Sequence, residues 1–349
     1  MKIIKEIDVK KHPSYDGHEK VFYFEDKNVN LRGFVAWHNT KLGPATGGTR
    51  LYPYTSDEEA LDDVLRLSKA MSSKCAIADI PFGGGKAVII GDKNFKNENF
   101  LKSYAEVINS FDGKYTTGTD MGISDKDTLY MSKITPYILK GNGKNRTTSK
   151  VAAYGIYLGI KEALRIVLPE KKNLTIGIKG IGKIGSELVD LFKKDEIDLV
   201  VADIDKKIIE KIKNKYPDIE IVTPAEIHKK EVDVYCPCAL GKEFNKENTK
   251  ELNCKIIAGG ANNQLVDDSI AQEIKERGIC YIPDYLINSG GLIHIVDELD
   301  KTGYNKQRVE KRLLNIVKMI RLLLEESKGT KKDTLSISKE IVNKKLYDN

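Results

Sequence analysis

The chain has 349 residues, a length that favours two domains, each large enough for its own core. Apolar residues make up 40% and charged residues 31%, an ordinary balance for a globular protein, and the formal charge of +6 is small for this size. The lysines are spread in pairs interleaved with acids (Lys171-Lys172, Lys206-Lys207, Lys229-Lys230, Lys331-Lys332), which reads as solvated surface and argues against a nucleic-acid partner. No run approaches the ~18 apolar residues that span a bilayer. The N-terminal MKIIKEIDVKKHPSYDGHEK also lacks an apolar core of signal-peptide length. The five cysteines include no C-x-x-C pair, and Cys236-Pro237-Cys238 is too tight for an ordinary structural zinc spacing. No H-E-x-x-H arrangement occurs among the histidines, so no metal is expected. The cysteines read as small buried residues in a reducing cytoplasm.

The first ~50 residues alternate short apolar runs with turn signals, at Lys20–Glu25 and Leu31–His38, and are expected to form strands of a small sheet. Ser56 opens a helix. Glu59 three residues on completes a capping box, and Asp57 and Glu58 suit the positive end of the helix dipole. Leu61, Val64, Leu65, Ser68 and Met71 fall on one face, which brings Lys74 to the last turn or just past it. The run from Ser73 to Asp92, SKCAIADIPFGGGKAVIIGD, holds three consecutive glycines followed by Lys86. Glycines let another group approach the backbone closely. A lysine beside them would sit at the floor of a cleft, where lost solvation disfavours its charged form and suits it to act as a base. The plainer alternative is a flexible turn before a strand Ala87–Ile90, with Lys86 solvated. A phosphate loop fails on two positions, because Ile80 stands where its first glycine belongs and Ala87 where its Ser or Thr belongs.

A helix is expected over about Asn97–Phe111. KGNGKNRTTSK, residues 140–150, has no apolar periodicity and is the best linker in the chain; Val151–Val167 then reads as a helix. NLTIGIK (173–179) is a strand, followed at once by Gly180-Ile181-Gly182-Lys183-Ile184-Gly185, a helix and a second strand, Asp198–Ala202, that ends in Asp203. A lone G-x-G-x-x-G is weak, but here it lies between strand and helix with an acid about 20 residues on, the context of a dinucleotide-binding unit. Gly180 would make the turn, Gly182 would admit the pyrophosphate to the helix N-terminus, and Gly185 would let helix and strand pack closely. Asp203 would bind the adenosine ribose hydroxyls and repel a 2′-phosphate, which favours NAD over NADP. The competing reading is a βαβ turn that binds nothing. Strand-like pieces follow at Glu220–Val222, Val232–Cys236, Lys255–Gly259 and Gly278–Ile282, with polar loops around Asn262 and Asn288. Helices close the chain. The last of them, about Asp333 to Leu346, would pack on the first domain or serve as an oligomer surface.

Seven segments, in order, carry a resemblance: GPATGGTRLYPYTSDEEALDDVLRLSKAMSSK (43–74), GGGKAVIIGD (83–92), TTGTDMGIS (116–124), GIGKIG (180–185), PCALG (237–241), AGGANNQL (258–265) and PDYLINSGGLIHIVDEL (283–299). On these the chain resembles the glutamate/leucine/phenylalanine/valine dehydrogenase family, nearest its leucine- and phenylalanine-type members. The resemblance implies an α/β protein with two domains and a cleft between them. Residues 1–148 would be the substrate-binding and oligomerisation domain, with 330–349 able to pack back on it, and 149–329 the Rossmann-type NAD domain. It implies NAD-dependent reversible oxidative deamination of an L-amino acid to a 2-oxo acid and ammonia by a homo-oligomer.

Residue by residue, Lys74 matches the lysine that holds the substrate carboxylate. Lys86 matches the lysine that activates water, and Asp120 the carboxylate that relays protons to and from the amine. Asn262 and Asn288 match positions near the nicotinamide and the substrate carboxylate. Ala239 and Leu240 join Gly180, Gly182, Lys183, Ile184, Gly185 and Asp203 in the cofactor site. The side-chain pocket would be lined by Thr46, Gly118, Leu292 and Ile295. Gly118 adds room compared with leucine-type enzymes, Leu292 removes room compared with phenylalanine-type ones, and Thr46 brings a hydroxyl where an apolar group is usual. None of the four is a lysine or arginine, which argues against glutamate. The reading favours leucine, valine or isoleucine; an aromatic amino acid (phenylalanine or tryptophan) or an imine reductase on the same scaffold are the alternatives within enzymes, and a non-catalytic NAD-binding regulator is the alternative outside them. Ala152 departs from the family's usual threonine facing the nicotinamide. Residues 140–150 are expected near the hinge of a closing cleft.

Overall fold

The computed structural model describes residues 2–140, 147–300 and 302–348. The centre of the expected linker, residues 141–146, lies outside the described residues. Two compact units result. The described residues within Met1–Asn145, Glu298–Gly303 and Val342–Asn349 form the first, and those within Arg146–Asp297 and Tyr304–Ile341 the second. Among the described residues no helix is long and apolar enough to cross a membrane.

The first unit is built on a mixed sheet. Its strands are β1 (Lys2–Glu6), β2 (Lys20–Asp26), β3 (Leu31–Asn39), β4 (Ala45–Thr46), β5 (Thr49–Tyr52), β6 (Gly83–Ile90) and β7 (Tyr115–Thr116). They lie in the order β1-β2-β3-β6-β4-β7, with β5 also beside β6. β6 runs antiparallel to β3 and parallel to β4 and β5, so it is the centre of the sheet, and every residue in it is buried. Both faces are covered, which explains an apolar run with no polar alternation. Ala87 and Ile89 join the core that holds Phe100, Tyr104 and Ile108 of α2 (Glu98–Asn109). Val88 and Ile90 join the core under Ala60, Val64 and Leu65 of α1 (Asp57–Ile77). By the same alternation Lys86 shares the α1 face.

The glycine triplet is therefore strand and not turn, which corrects both the turn alternative and the expected start of the strand at Ala87. Its glycines are required by contact. A Cβ on Gly84 would lie 2.1 Å from the backbone nitrogen of Ser72 on α1, and one on Gly85 would lie 2.8 Å from the Tyr115 ring. The strand contributes no side chain to its contact with the helix at that level.

The Ser56 cap is present, its side chain accepting from the Glu59 N–H at 3.1 Å. The reciprocal arm differs from the expected box. Glu59 turns to Thr55, accepting from both its N–H and its hydroxyl at 2.7 Å, because Thr55 offers two donors where Ser56 would offer one. A complete capping box occurs instead at Ser124 and Asp127, opening α3 (Asp125–Met131).

The second unit opens with α4 (Thr147–Val167) and holds a parallel sheet of β8 (Thr175–Lys179), β9 (Asp198–Ala202), β10 (Glu220–Ile221), β11 (Val234–Pro237), β12 (Ile256–Ile257) and β13 (Cys280–Tyr281). The strand order is β10-β9-β8-β11-β12-β13. The chain steps outward through α5 (Lys183–Lys194) and α6 (Lys206–Lys215), then returns to place β11 on the other side of β8. The order thus reverses between β8 and β11, and the carboxyl ends of those strands form the crevice of a doubly wound sheet. Helices α7 (Ser269–Glu276), α8 (Asp284–Ile287), α9 (Gly290–Val296), α10 (Lys306–Ser327) and α11 (Thr334–Tyr347) complete the chain. The last turn of α11 belongs to the first unit, where Lys345 donates to the Ala76 carbonyl at 2.9 Å.

Gly84→Ala should lower stability by about 1–3 kcal/mol, the usual cost of overpacking, read as a lower urea midpoint. A midpoint equal to the parent's would mean that α1 and β6 are not held in this close contact.

Candidate active site

Lys86 is 6% exposed and donates from Nζ to Oδ2 of Asp120. The partners come from separate segments. Residues 114–121 run alongside residues 45–51 through Ala45 N–H to Lys114 O (3.0 Å), Gly47 N–H to Thr116 O (3.2 Å), Thr49 N–H to Gly118 O (3.0 Å) and Leu51 N–H to Met121 O (2.8 Å). On the other side β4 and β5 pair with β6, leaving Gly47 and Gly48 between their two ladders. A Cβ on Gly47 would lie 1.8 Å from the Gly85 carbonyl oxygen, and one on Gly48 would lie 2.4 Å from that of Thr119 and 3.1 Å from Asp120 Cβ. The Lys86–Asp120 contact spans this side-chain-free stretch.

Asp120 has further partners. Its Oδ1 accepts from the Met121 N–H at 2.6 Å, and Arg50 approaches Oδ2 to 3.8 Å. Burial opposes ionisation of Asp120, but Lys86, Arg50 and the Met121 N–H outweigh it and hold the carboxyl below its ordinary value. Arg50 is itself oriented: it donates to Asp63 at 2.8 Å, and Tyr54 donates to the same oxygen at 2.6 Å. Burial first, and then the Asp63 carboxylate, push the Tyr54 phenol up, so it remains a donor. Arg50, Asp63 and Tyr54 were not singled out in the sequence. Arg50 closes the run GPATGGTR, but nothing local indicates that it faces Asp120, 70 residues away in the chain.

Lys74 lies in the last turn of α1, the helix that packs on β6. Thr46 is buried and accepts from the Thr116 hydroxyl at 3.0 Å. Gly118 stands beside Leu139, where an added Cβ would make ordinary contact at 3.4 Å, so a methyl-sized place is open there. In the second unit Leu292 and Ile295 lie half-buried on α9. The end of α9 is tied down by the fully buried Asp297, which accepts from the Asn305 N–H at 2.7 Å, from Arg308 at 2.5 and 2.9 Å and from Arg312 at 3.1 Å. This clamp also went unread in the sequence.

The three glycines after β8 behave differently from one another. Gly180 has φ +92°, and a Cβ there would meet the Ala239 nitrogen at 2.7 Å. A Cβ on Gly185 would lie 2.0 Å from the Gly180 carbonyl oxygen. Gly182 caps α5 with no side-chain bond, and none of the described residues lies within 4 Å of the place its Cβ would take. A helix N-terminus with open space and no side-chain cap is what a pyrophosphate needs, so the residues present fit a dinucleotide. Lys183 is exposed and Ile184 half-buried at the start of α5; beyond β11, Ala239 is exposed and Leu240 is 84% exposed. Asp203 accepts from the Ile181 N–H at 2.6 Å and from the Asp205 N–H at 2.8 Å. A carboxylate has about four lone-pair sites, which leaves acceptor capacity for ribose hydroxyls. Asn288 donates to Asn262 at 2.7 Å, bringing those two loops together, and its own Oδ1 is buried without a partner among the described residues. Ala152 is buried on α4, where a Cβ added to Gly290 would meet its Cα at 3.3 Å. Among the described residues no group of three or more His, Cys, Asp or Glu is placed to hold a metal ion.

Residues 18–137 match the family model described as Glu/Leu/Phe/Val dehydrogenase, dimerisation domain, and residues 194–342 match that of the Glutamate/Leucine/Phenylalanine/Valine dehydrogenases. The phenylalanine dehydrogenase of Thermoactinomyces intermedius is 38% identical, over 95% of this chain and 92% of its own. The valine dehydrogenase of Streptomyces coelicolor is also 38% identical, over 84% and 83%. The crystal structure of L-tryptophan dehydrogenase from Nostoc punctiforme superposes with a TM-score of 0.84 at 34% identity, covering 95% of this chain and 96% of that one.

Arg50→Gln removes a positive charge from beside Asp120. The carboxylate then loses support, and Asp120 should protonate at higher pH than in the parent, as followed by NMR of carbon-13-labelled aspartate. An unchanged titration would mean that Arg50 does not act on Asp120.

Proposed function

The chain belongs to the glutamate/leucine/phenylalanine/valine dehydrogenase family, oxidoreductases that act on CH–NH2 donors with NAD, and on that premise we propose that it catalyses the reversible oxidative deamination of a hydrophobic L-amino acid. Leucine, valine and isoleucine are the substrates we favour. The observation that carries the reading is the buried Lys86–Asp120 pair, with Asp120 kept ionised beside two cations.

When bound, NAD supplies the hydride acceptor for the substrate Cα–H. Gly180, Gly182, Lys183, Ile184, Gly185, Asp203, Ala239, Leu240 and Asn288 are assigned to holding it, and Asn262 to both cofactor and substrate. Lys74 is assigned the substrate carboxylate. Lys86 passes its proton to Asp120 and then takes one from the water that attacks the iminium carbon. The resulting carbinolamine must gain a proton on nitrogen before ammonia leaves; Asp120 delivers it and then takes the hydroxyl proton as the C–N bond breaks and the carbonyl forms. Because Lys86 Nζ and Asp120 Oδ2 are in hydrogen-bond contact, a proton taken at one reaches the other in a single transfer. We also assign homo-oligomer formation to the first unit, the part matched by the dimerisation-domain model.

Thr46, Gly118, Leu292 and Ile295 are assigned to the substrate side chain. None carries a charge that would pair with a glutamate side chain. Two observations favour a second reading, an aromatic substrate: the methyl-sized place open at Gly118, and relatives that act on phenylalanine and tryptophan.

The test is NADH oxidation with 4-methyl-2-oxopentanoate or phenylpyruvate, each with and without ammonium. Oxidation should require ammonium, and kcat/KM should be about tenfold higher for the aliphatic acid, since one methylene in such a pocket is worth ~1–3 kcal/mol. A preference for phenylpyruvate would move the substrate to the aromatic class. Oxidation independent of ammonium would overturn deamination in favour of reduction of another electrophile.

A further inference from the structure

Cys236 lies in β11 and Cys238 is the first residue past its end, two positions on. Their sulfurs are 3.6 Å apart. Cys236 is fully buried and Cys238 half-buried. The pair lies against the glycines of the nucleotide cradle. The Cys238 N–H donates to the Lys179 carbonyl at 2.7 Å, immediately before Gly180. A Cβ on Gly260 would lie 3.5 Å from Cys238 Sγ, and one on Gly185 would lie 3.7 Å from Cys238 Cβ. The next residue, Ala239, is the one against which Gly180 makes its turn.

We propose that Cys236 and Cys238 form an oxidation-sensitive dithiol which a peroxide converts to a disulfide, and that this conversion weakens NAD binding. The inference rests on the Gly180–Gly185 loop being the NAD site. Cys238 is the nucleophile, since it is the more exposed of the two and the Cys236 thiol and the Gly260 N–H hold its thiol below the ordinary value. Burial pushes Cys75 and Cys254 up to about 12 and raises Cys280, which leaves those three protonated and slow to react. The Cys238 sulfur attacks the peroxide: an S–O bond forms, the O–O bond breaks, and one water leaves. Cys236 then attacks the sulfenic sulfur; the S–S bond forms, the S–O bond breaks, and a second water leaves. Two thiols are oxidised and one peroxide is reduced.

The consequence for the cradle is geometric. Residues two apart in a strand have Cα atoms roughly 6.6 Å apart, near the upper end of the ~4.4–6.8 Å that a disulfide bridges. Bringing the sulfurs from 3.6 Å to bonding distance pulls Cys238 toward Cys236, against its hydrogen bond to Lys179 and away from the fit of Ala239 to Gly180.

The experiment uses the reduced full-length protein. NADH affinity is first measured by fluorescence, and the protein is then treated with hydrogen peroxide with and without saturating NADH. Absence of NADH binding before treatment would refute the cofactor reading on which the proposal rests. With binding present, peroxide should give a Cys236–Cys238 peptide lighter by two hydrogens and a Kd raised about tenfold, both reversed by dithiothreitol and slowed by bound NADH. In Cys236→Ala, with no second thiol, Cys238 should be trapped as a sulfenic acid by dimedone and should form no disulfide. Two free thiols after treatment, a disulfide with unchanged NADH affinity, or an equal loss of affinity in Cys238→Ala would each overturn the proposal.

Discussion

The first unit depends on two backbones touching where side chains are absent. Gly84 lies against Ser72 of α1, and Gly47 and Gly48 fill the gap between the β4 and β5 ladders of β6. This contact brings a lysine on the central strand and an aspartate on a distant loop within hydrogen-bond reach while keeping the lysine 6% exposed. Placing two charges in such a position is costly, since each loses solvation, and the cost is offset only if partners are fixed in place. Asp120 has three such partners, Lys86, Arg50 and its neighbour's N–H, and Arg50 is in turn fixed by Asp63. The glycines and the charges therefore belong to one construction: without the close packing there would be no rigid frame to hold the pair together.

The second unit uses glycine for the opposite purpose. At Gly182 none of the described residues approaches, and the space beside it is open; at Gly180 and Gly185 the space is taken by protein. The same residue type thus marks both a filled contact and an open space, and only the surroundings tell them apart.

This contrast decides what could be read from the sequence. The nucleotide unit was legible because its parts are local: strand, turn, helix and second strand follow within about 30 residues, and Asp198–Ala202 is a strand over the residues the pattern indicates. The β6 glycines were not, because a strand is the least expected place for three of them, and the reason for them lies on α1. Likewise Glu59 is placed for a capping box, yet its choice of Thr55 over Ser56 depends on side-chain geometry that spacing does not encode. The Arg50–Asp63–Tyr54 support and the Asp297 clamp join residues across turns and helices, and each reads singly as ordinary surface charge. Resemblance carried Lys86 and Asp120 to a common site as an expectation; composition and periodicity alone would have left them unconnected.

The central claim is that Lys86 performs proton chemistry and is not merely a buried structural charge. Steady-state kinetics and NADH titration of Lys86→Ala test it most directly. The account predicts kcat lower by ~10²–10⁴, the usual loss on removing a general acid or base, with NADH affinity close to the parent's because the cradle is elsewhere in the chain. Near-normal turnover in a variant that still binds NADH would contradict it.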